Sequence, residues 1–331
     1  MTPLILWMLL HFGVAAVCTW LARRYALHRK LVDQPGERRS HSVATPRGGG
    51  ISIVIAVLLG IGWMLVQWPE HQVLLSSLAT GLVMVAGIGW VDDHRPLSPW
   101  VRLAVQGVAA LVLAGGFLGT YGTILPALVA FVLVMILVNV WNFMDGIDGL
   151  ATSQATLVAG GLALLTGGYG VLGWLAAGMA AACMGFLPFN FPKARIFLGD
   201  VGSGALGYLL AAILAGTYAT AQIPWPLLLL PVAAFLVDAG FTLVMRMLRG
   251  EQWWTPHVTH AYQVWARSEA GHIGVSMAYA AFTLAGVILM LSGLSLSWFA
   301  AAWMGLLWYV FTLLLWARLR RDVPLSKETK Q

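Results

Sequence analysis

Long apolar runs broken by short polar connections dominate this chain. The pattern predicts membrane-spanning helices, each needing about 20 mostly apolar residues, rather than alternating strands. Eleven runs fit, at roughly 1–22, 51–67, 73–91, 100–119, 122–143, 149–167, 171–189, 201–218, 224–246, 273–292 and 296–317, two of them short. Two kinds of connection separate them. Those at 68–72, 120–121, 168–170, 219–223 and 293–295 are short and nearly uncharged. Those at 23–50, 92–99, 144–148, 190–200 and 247–272, with the tail after 317, hold the charge. The expected fold is all-α: one polytopic membrane bundle over 1–331, with its N-terminus outside and its C-terminus cytoplasmic.

Composition agrees. Of 331 residues, 60% are hydrophobic and 10% charged, with mean hydropathy +0.82; soluble domains carry about 25% charged residues. All 19 Lys and Arg residues fall on one side of the eleven-helix topology. The positive-inside rule makes that side cytoplasmic. The sequence pI near 9.6 therefore reflects topology and gives no reason to expect a nucleic-acid partner. The first run has no basic residue before it and is followed by Arg23, Arg24, Arg29 and Lys30. A cleaved signal peptide has the opposite order, so a retained first helix is expected. Cys18 and Cys183 lie inside apolar runs and make neither a disulfide framework nor a CxxC metal pattern.

Twelve of the 13 acidic residues share the basic side, Glu70 being the exception. Acidic residues contribute little to orientation, so their clustering points to chemistry. GWVDDHRPLSP places Asp92 and Asp93 where the third helix leaves the membrane. Paired carboxylates suit a cation or a proton-transfer role, and a solvated turn is the alternative. NVWNFMDGIDGLA carries Asn139, Asn142, Asp145 and Asp148 at a tight turn, where Asp148 is placed to cap the following helix. NFPKARIFLGDVGSGALG puts Asp200 at the start of the eighth helix beside Gly202, Ser203 and Gly204. That helix start could bind an anion or, through Asp200, a metal; close glycine packing is the alternative. No GxxxxGK[ST] is present, and no strand precedes these glycines, so neither a P-loop nor a dinucleotide fingerprint is indicated. DQPGERRSHSVATPRGGG offers Arg38, Arg39, His41 and Arg47 before three glycines, for anionic lipid or for close backbone approach. In EQWWTPHVTHAYQ, His257 and His260 stand three apart, as on one helical face. Asp238 lies within the ninth run, as a functional group or as the partner of a neighbouring helix.

Together these segments, in this order from residue 33 to 263, resemble the polyprenyl-phosphate N-acetylhexosamine-1-phosphate transferase family. The resemblance implies transfer of a sugar-1-phosphate from UDP-N-acetylhexosamine to undecaprenyl phosphate with release of UMP, at the cytoplasmic face of the bacterial inner membrane. It implies Mg²⁺, or Mn²⁺ in its place, with Asp200 as the metal ligand. Asp92 and Asp93 match the family's paired catalytic acids. Asn142, Asp145, Asp148, Asn190 and Phe197 match the nucleoside pocket, with Phe197 stacking on uracil. Arg47, His257 and His260 fall on the diphosphate and sugar side. HAYQ is similar to the O-antigen-initiating branch and lacks the consecutive histidines of the peptidoglycan branch. The lipid bilayer is the expected setting, and a homodimer is left open. The competing class is a secondary transporter with a carboxylate-lined site between inverted repeats, but no such repeat is visible.

Overall fold

The computed structural model describes residues 2–33, 44–221, 223–252 and 258–321. All eleven apolar runs are helical: α1 (Thr2–His28), α2 (Ile51–Gln67), α3 (Gln72–His94), α4 (Pro99–Tyr121), α5 (Ile124–Met144), α6 (Leu150–Leu165), α7 (Gly170–Asn190), α8 (Asp200–Thr220), a ninth segment in pieces, and two long helices after it. Among the described residues nine helices are long and apolar enough to cross a membrane, while α2 and α6 are shorter. Two-residue strands, β1 (Val32–Asp33) and β2 (Thr45–Pro46), pair antiparallel at the entry to α2.

The ninth run differs from its expected single helix. It divides into α9 (Trp225–Leu228), a 3-10 turn at Leu230–Val232 and α10 (Ala233–Leu248). Pro226 and Pro231 each lack a backbone donor, which explains a break here. Carbonyls freed in an apolar setting need other donors. The next helices after the break are α11 (Ala261–Ala266), α12 (Gly271–Ser292) and α13 (Trp298–Arg321). From α13, the Trp308 Nε1–H donates to the Leu230 carbonyl at 3.1 Å and the Tyr309 hydroxyl to the Leu229 carbonyl at 3.0 Å.

At the centre stands α8, buried continuously from Val201 to Thr217 and packed mainly against α5 and α3. A helix apolar on every side belongs inside a bundle. Its placement also fixes the site, because Asp200 is its first residue. The bundle's two ends differ in character. At one end Trp7, Trp63, Trp68 and Trp174 cluster with ring centroids 5.0–5.7 Å apart. At the other, the charged connections meet: Arg23 Nε donates to the Arg195 carbonyl at 3.1 Å, and Tyr25 lies 3.2 Å from His94.

Candidate active site

Glycine sets how closely the parts of the site approach. At Gly50 a side chain would put its Cβ 2.2 Å from the Gly202 Cα, so the loop before α2 lies directly on the first turn of α8. Backbone bonds seal the join: Gly49 N–H to the Phe197 carbonyl (2.9 Å), Gly50 N–H to the Leu198 carbonyl (2.8 Å) and Phe197 N–H to the Pro46 carbonyl (2.8 Å). The close approach expected of the 48–50 glycines is therefore realised. The anion site expected at the start of α8 is filled from within. Asp93, 2% exposed, accepts the Asp200 and Val201 N–H groups at 3.2 Å each. Arg47 donates to the Asp93 carbonyl, and its Nε lies 3.9 Å from the Asp93 carboxylate.

Asp92 faces the other way. Its Oδ1 accepts the Leu97 N–H at 2.6 Å, while its Oδ2 pairs with Arg102 Nη1 at 3.0 Å. The same nitrogen lies 2.9 Å from Asp200 Oδ2, so one guanidinium joins two carboxylates. Asn142 completes the group, donating to Asp200 Oδ1 (3.0 Å) and to Ser203 Oγ (3.1 Å). In the sequence Arg102 stands out only as one of the 19 basic charges on one side of the topology. Its one local signal is an Arg in the first turn of an otherwise apolar helix.

A cavity of about 340 Å³ opens here. Its polar wall includes Arg102, Asn142, Asp145, Asp200, His260 and Gln263, and its apolar wall includes Val85, Ile88, Trp100 and Leu103. Burial, then the neighbouring charges of Asp200, Asp93 and Asp148, raise the Asp145 carboxyl well above its ordinary pKa. The cavity thus joins a cluster of charge to an apolar flank, as an amphiphile would need. Arg47, Asp92, Asp93, Asp148, Asn190 and Phe197 are not among the lining residues. Asn190 instead bonds across the join, its Oδ1 accepting the Gly149 N–H (3.1 Å) and its Nδ2 donating to the Ile196 carbonyl (3.1 Å). This corrects the expected cap of α6. The cap position is Gly149 at φ +73°, served by Asn190, while the Asp148 carboxylate lies 3.5 Å from His272.

His260 does not lie on a helical face. His260 is extended, with φ −64° and ψ 147°, and directly precedes α11; His257 lies outside the described residues. Burial lowers the His260 pKa, partly offset by Asp238, so the imidazole is neutral near neutral pH. For Asp238 the structure favours the hydrogen-bonded alternative. At 1% exposed, it accepts from the backbone of Ala261 and Tyr262 and from the side chains of Tyr279 and Trp316.

Can these residues hold a metal? Among the described residues, no three His, Cys, Asp or Glu side chains gather into a metal cluster. Asp92 and Asp200, however, reach one common nitrogen at about 3 Å, so a small cation could meet both. The donors are hard oxygens. Mg²⁺ is usually bound by one or two carboxylates, with waters and phosphate oxygens completing its shell. The donor set fits that ion and not a closed zinc cage.

Comparison with known proteins bears on the whole arrangement. The profile of Glycosyl transferase family 4 matches residues 74–217, the stretch that carries Asp92, Asp145 and Asp200. A Bacillus subtilis protein, described as a probable undecaprenyl-phosphate N-acetylglucosaminyl 1-phosphate transferase, is 28% identical over 93% of this chain and 88% of its own. The Mycobacterium leprae decaprenyl-phosphate N-acetylglucosaminephosphotransferase is 30% identical over 75% of this chain and 74% of its own. A Deinococcus radiodurans phospho-N-acetylmuramoyl-pentapeptide-transferase is 33% identical over 70% of this chain and 81% of its own. These matches leave no ground for a secondary transporter. With carboxylates converging at the tip of the central helix of a multi-pass bundle, the chain belongs to the polyprenyl-phosphate N-acetylhexosamine-1-phosphate transferase family.

Proposed function

We propose that this transferase moves N-acetylglucosamine-1-phosphate from its UDP-sugar to undecaprenyl phosphate and releases UMP. The proposed setting is the bacterial cytoplasmic membrane with the site facing the cytoplasm, and the proposed role is the first step of a lipid-linked surface glycan such as O-antigen. The observation that carries the reading is the convergence of Asp92 and Asp200 on Arg102, with Arg102 and Asp200 lining a cavity that has one apolar flank. A diphosphate donor needs charge neutralisation and alignment more than covalent machinery, and a prenyl acceptor needs an apolar approach.

In this mechanism an oxygen of the lipid phosphate attacks the phosphorus that bears the sugar. The bond from that phosphorus to the oxygen of the UMP phosphate breaks, and UMP leaves with the electron pair. The acceptor, with a second pKa of about 6, is largely dianionic near neutral pH and needs little activation. Asp92 orients it or takes a residual proton. Asp93 holds Arg47 and the first turn of α8 in place. Arg102 turns from the carboxylates to the donor phosphates. Mg²⁺, or Mn²⁺, held by Asp200 and Asp92, would supply neutralisation of the diphosphate. Asn142, Asp145, Asp148 and His260 surround the donor, and Phe197 is retained as the uracil-stacking candidate.

The test uses purified protein in proteoliposomes with UDP-N-acetylglucosamine, undecaprenyl phosphate and Mg²⁺. UMP should form only when the lipid is present, and no labelled protein should accumulate from β-³²P donor without it. EDTA should stop the reaction, and Asp200→Asn should lower the rate at least about 10³-fold with the fold retained. Full turnover in EDTA would remove the metal from the proposal. Absence of lipid-dependent UMP with any UDP-N-acetylhexosamine would remove the reaction.

A further inference from the structure

Among the described residues, Asp238 is the carboxylate that lies inside a membrane segment rather than at its end, and the mechanism leaves it unused. It does not line the catalytic cavity. Both its oxygens are nevertheless committed. Oδ1 accepts the Ala261 N–H at 2.8 Å and the Trp316 indole N–H at 3.2 Å. Oδ2 accepts the Tyr262 N–H at 3.0 Å and the Tyr279 hydroxyl at 2.8 Å. Ala261 and Tyr262 open α11, so a residue 23 positions earlier caps this helix. A six-residue helix holds little stability of its own and depends on such tertiary bonds.

What α11 carries is part of the cavity wall: His260, Tyr262 and Gln263. Its second attachment is the Tyr262 hydroxyl, which donates to the Phe143 carbonyl at 2.9 Å. There the chain has no slack, because a Cβ on Gly146 would meet that hydroxyl at 2.1 Å. The helix is thus held between a buried carboxylate and the Asp145 turn. Tyr279 and Trp316, from α12 and α13, aim the carboxylate.

We infer that Asp238 is a positioning residue that sets α11, and through it His260 and Gln263, against the bound donor. This rests on the proposed sugar-phosphate transfer. Asp238→Asn replaces one acceptor oxygen with an N–H₂ that faces backbone donors. The apparent KM for UDP-N-acetylglucosamine should rise about ten-fold, with the KM for undecaprenyl phosphate unchanged within two-fold. A purely structural residue would lower Vmax through the fraction of active protein and leave both KM values alone. Should Asp238→Asn not assemble, Tyr279→Phe keeps the carboxylate, removes one of the bonds that aim it and should raise the donor KM about three-fold. Wild-type protein run alongside separates the two ideas. An inactive wild type fails the transferase reading, whereas an active wild type with an unchanged donor KM in the folded variant overturns the role of Asp238.

Discussion

Arg102 is the residue whose role depends most on its neighbours. Its Nη1 is shared by the carboxylates of Asp92 and Asp200. With a cation held by those oxygens, the guanidinium would be free to meet a second anion such as the diphosphate of the proposed donor. Removing one donor aimed at charge that develops in a transition state costs about 10²–10³ in turnover. Arg102→Gln should show a loss of that size in kcat/KM with its thermal midpoint little changed, and near-wild-type turnover would refute the assignment. His260 permits a test by pH. Its pKa is lowered in the fold, mainly by burial, from an ordinary value of 6.5. The unfolded chain therefore takes up this proton more readily than the folded protein, and acid favours unfolding. The stability held above that value should fall as pH drops through it. His260→Gln, compared with wild type in detergent, should lose less of its thermal midpoint between pH 7.5 and about 5.5; parallel curves would exclude this histidine as the source.

At the scale of elements, the site is a set of joins between segments far apart in sequence. The tightest is that of Gly50 on Gly202. Gly50→Ala must push the loop before α2 off the tip of α8. Overpacking of this kind typically costs about 1–3 kcal/mol. Activity should fall with it, because Asp200 starts that turn; an unchanged melting midpoint and unchanged rate would show that the join can relax. These joins also explain what sequence could and could not reveal. The helices were readable because a bilayer demands length and apolarity in one continuous run. Asp92, Asp145 and Asp200 stand out in the sequence because acidic residues are few and these three adjoin long apolar runs. Asn190, which the resemblance assigns to the nucleoside pocket, also bonds Gly149, 41 residues away in sequence. Asp93 caps a helix 107 residues on. Nothing local marks such partners, since the cap and the helix meet only after the bundle packs. The break in the ninth segment left a local trace in Pro226 and Pro231, but a window scored for hydropathy passes over prolines.

For the whole molecule the deciding property is that chemistry lies at one end. The described contacts of Arg23, Arg47, Asp93, Arg102, Asp148 and Asp200 join the charged connections to one another, and the tryptophan cluster marks the opposite end. A site that takes a soluble charged donor and a membrane-held acceptor must sit where helix ends meet water. The one-sided distribution of Lys and Arg is the ground for proposing that this water is cytoplasmic. Orientation can be read with single cysteines once Cys18 and Cys183, the two native thiols, are replaced. Tyr169, 81% exposed in the connection before α7, is the outward probe. Lys193, exposed in the connection before α8, is the inward one. In intact cells a membrane-impermeant thiol reagent should label Tyr169→Cys and spare Lys193→Cys, with both reacting once the membrane is opened. The opposite pattern would place Asp200 and its neighbours outside. No cytoplasmic nucleotide-sugar could then reach them, and the proposed donor would fall with the topology.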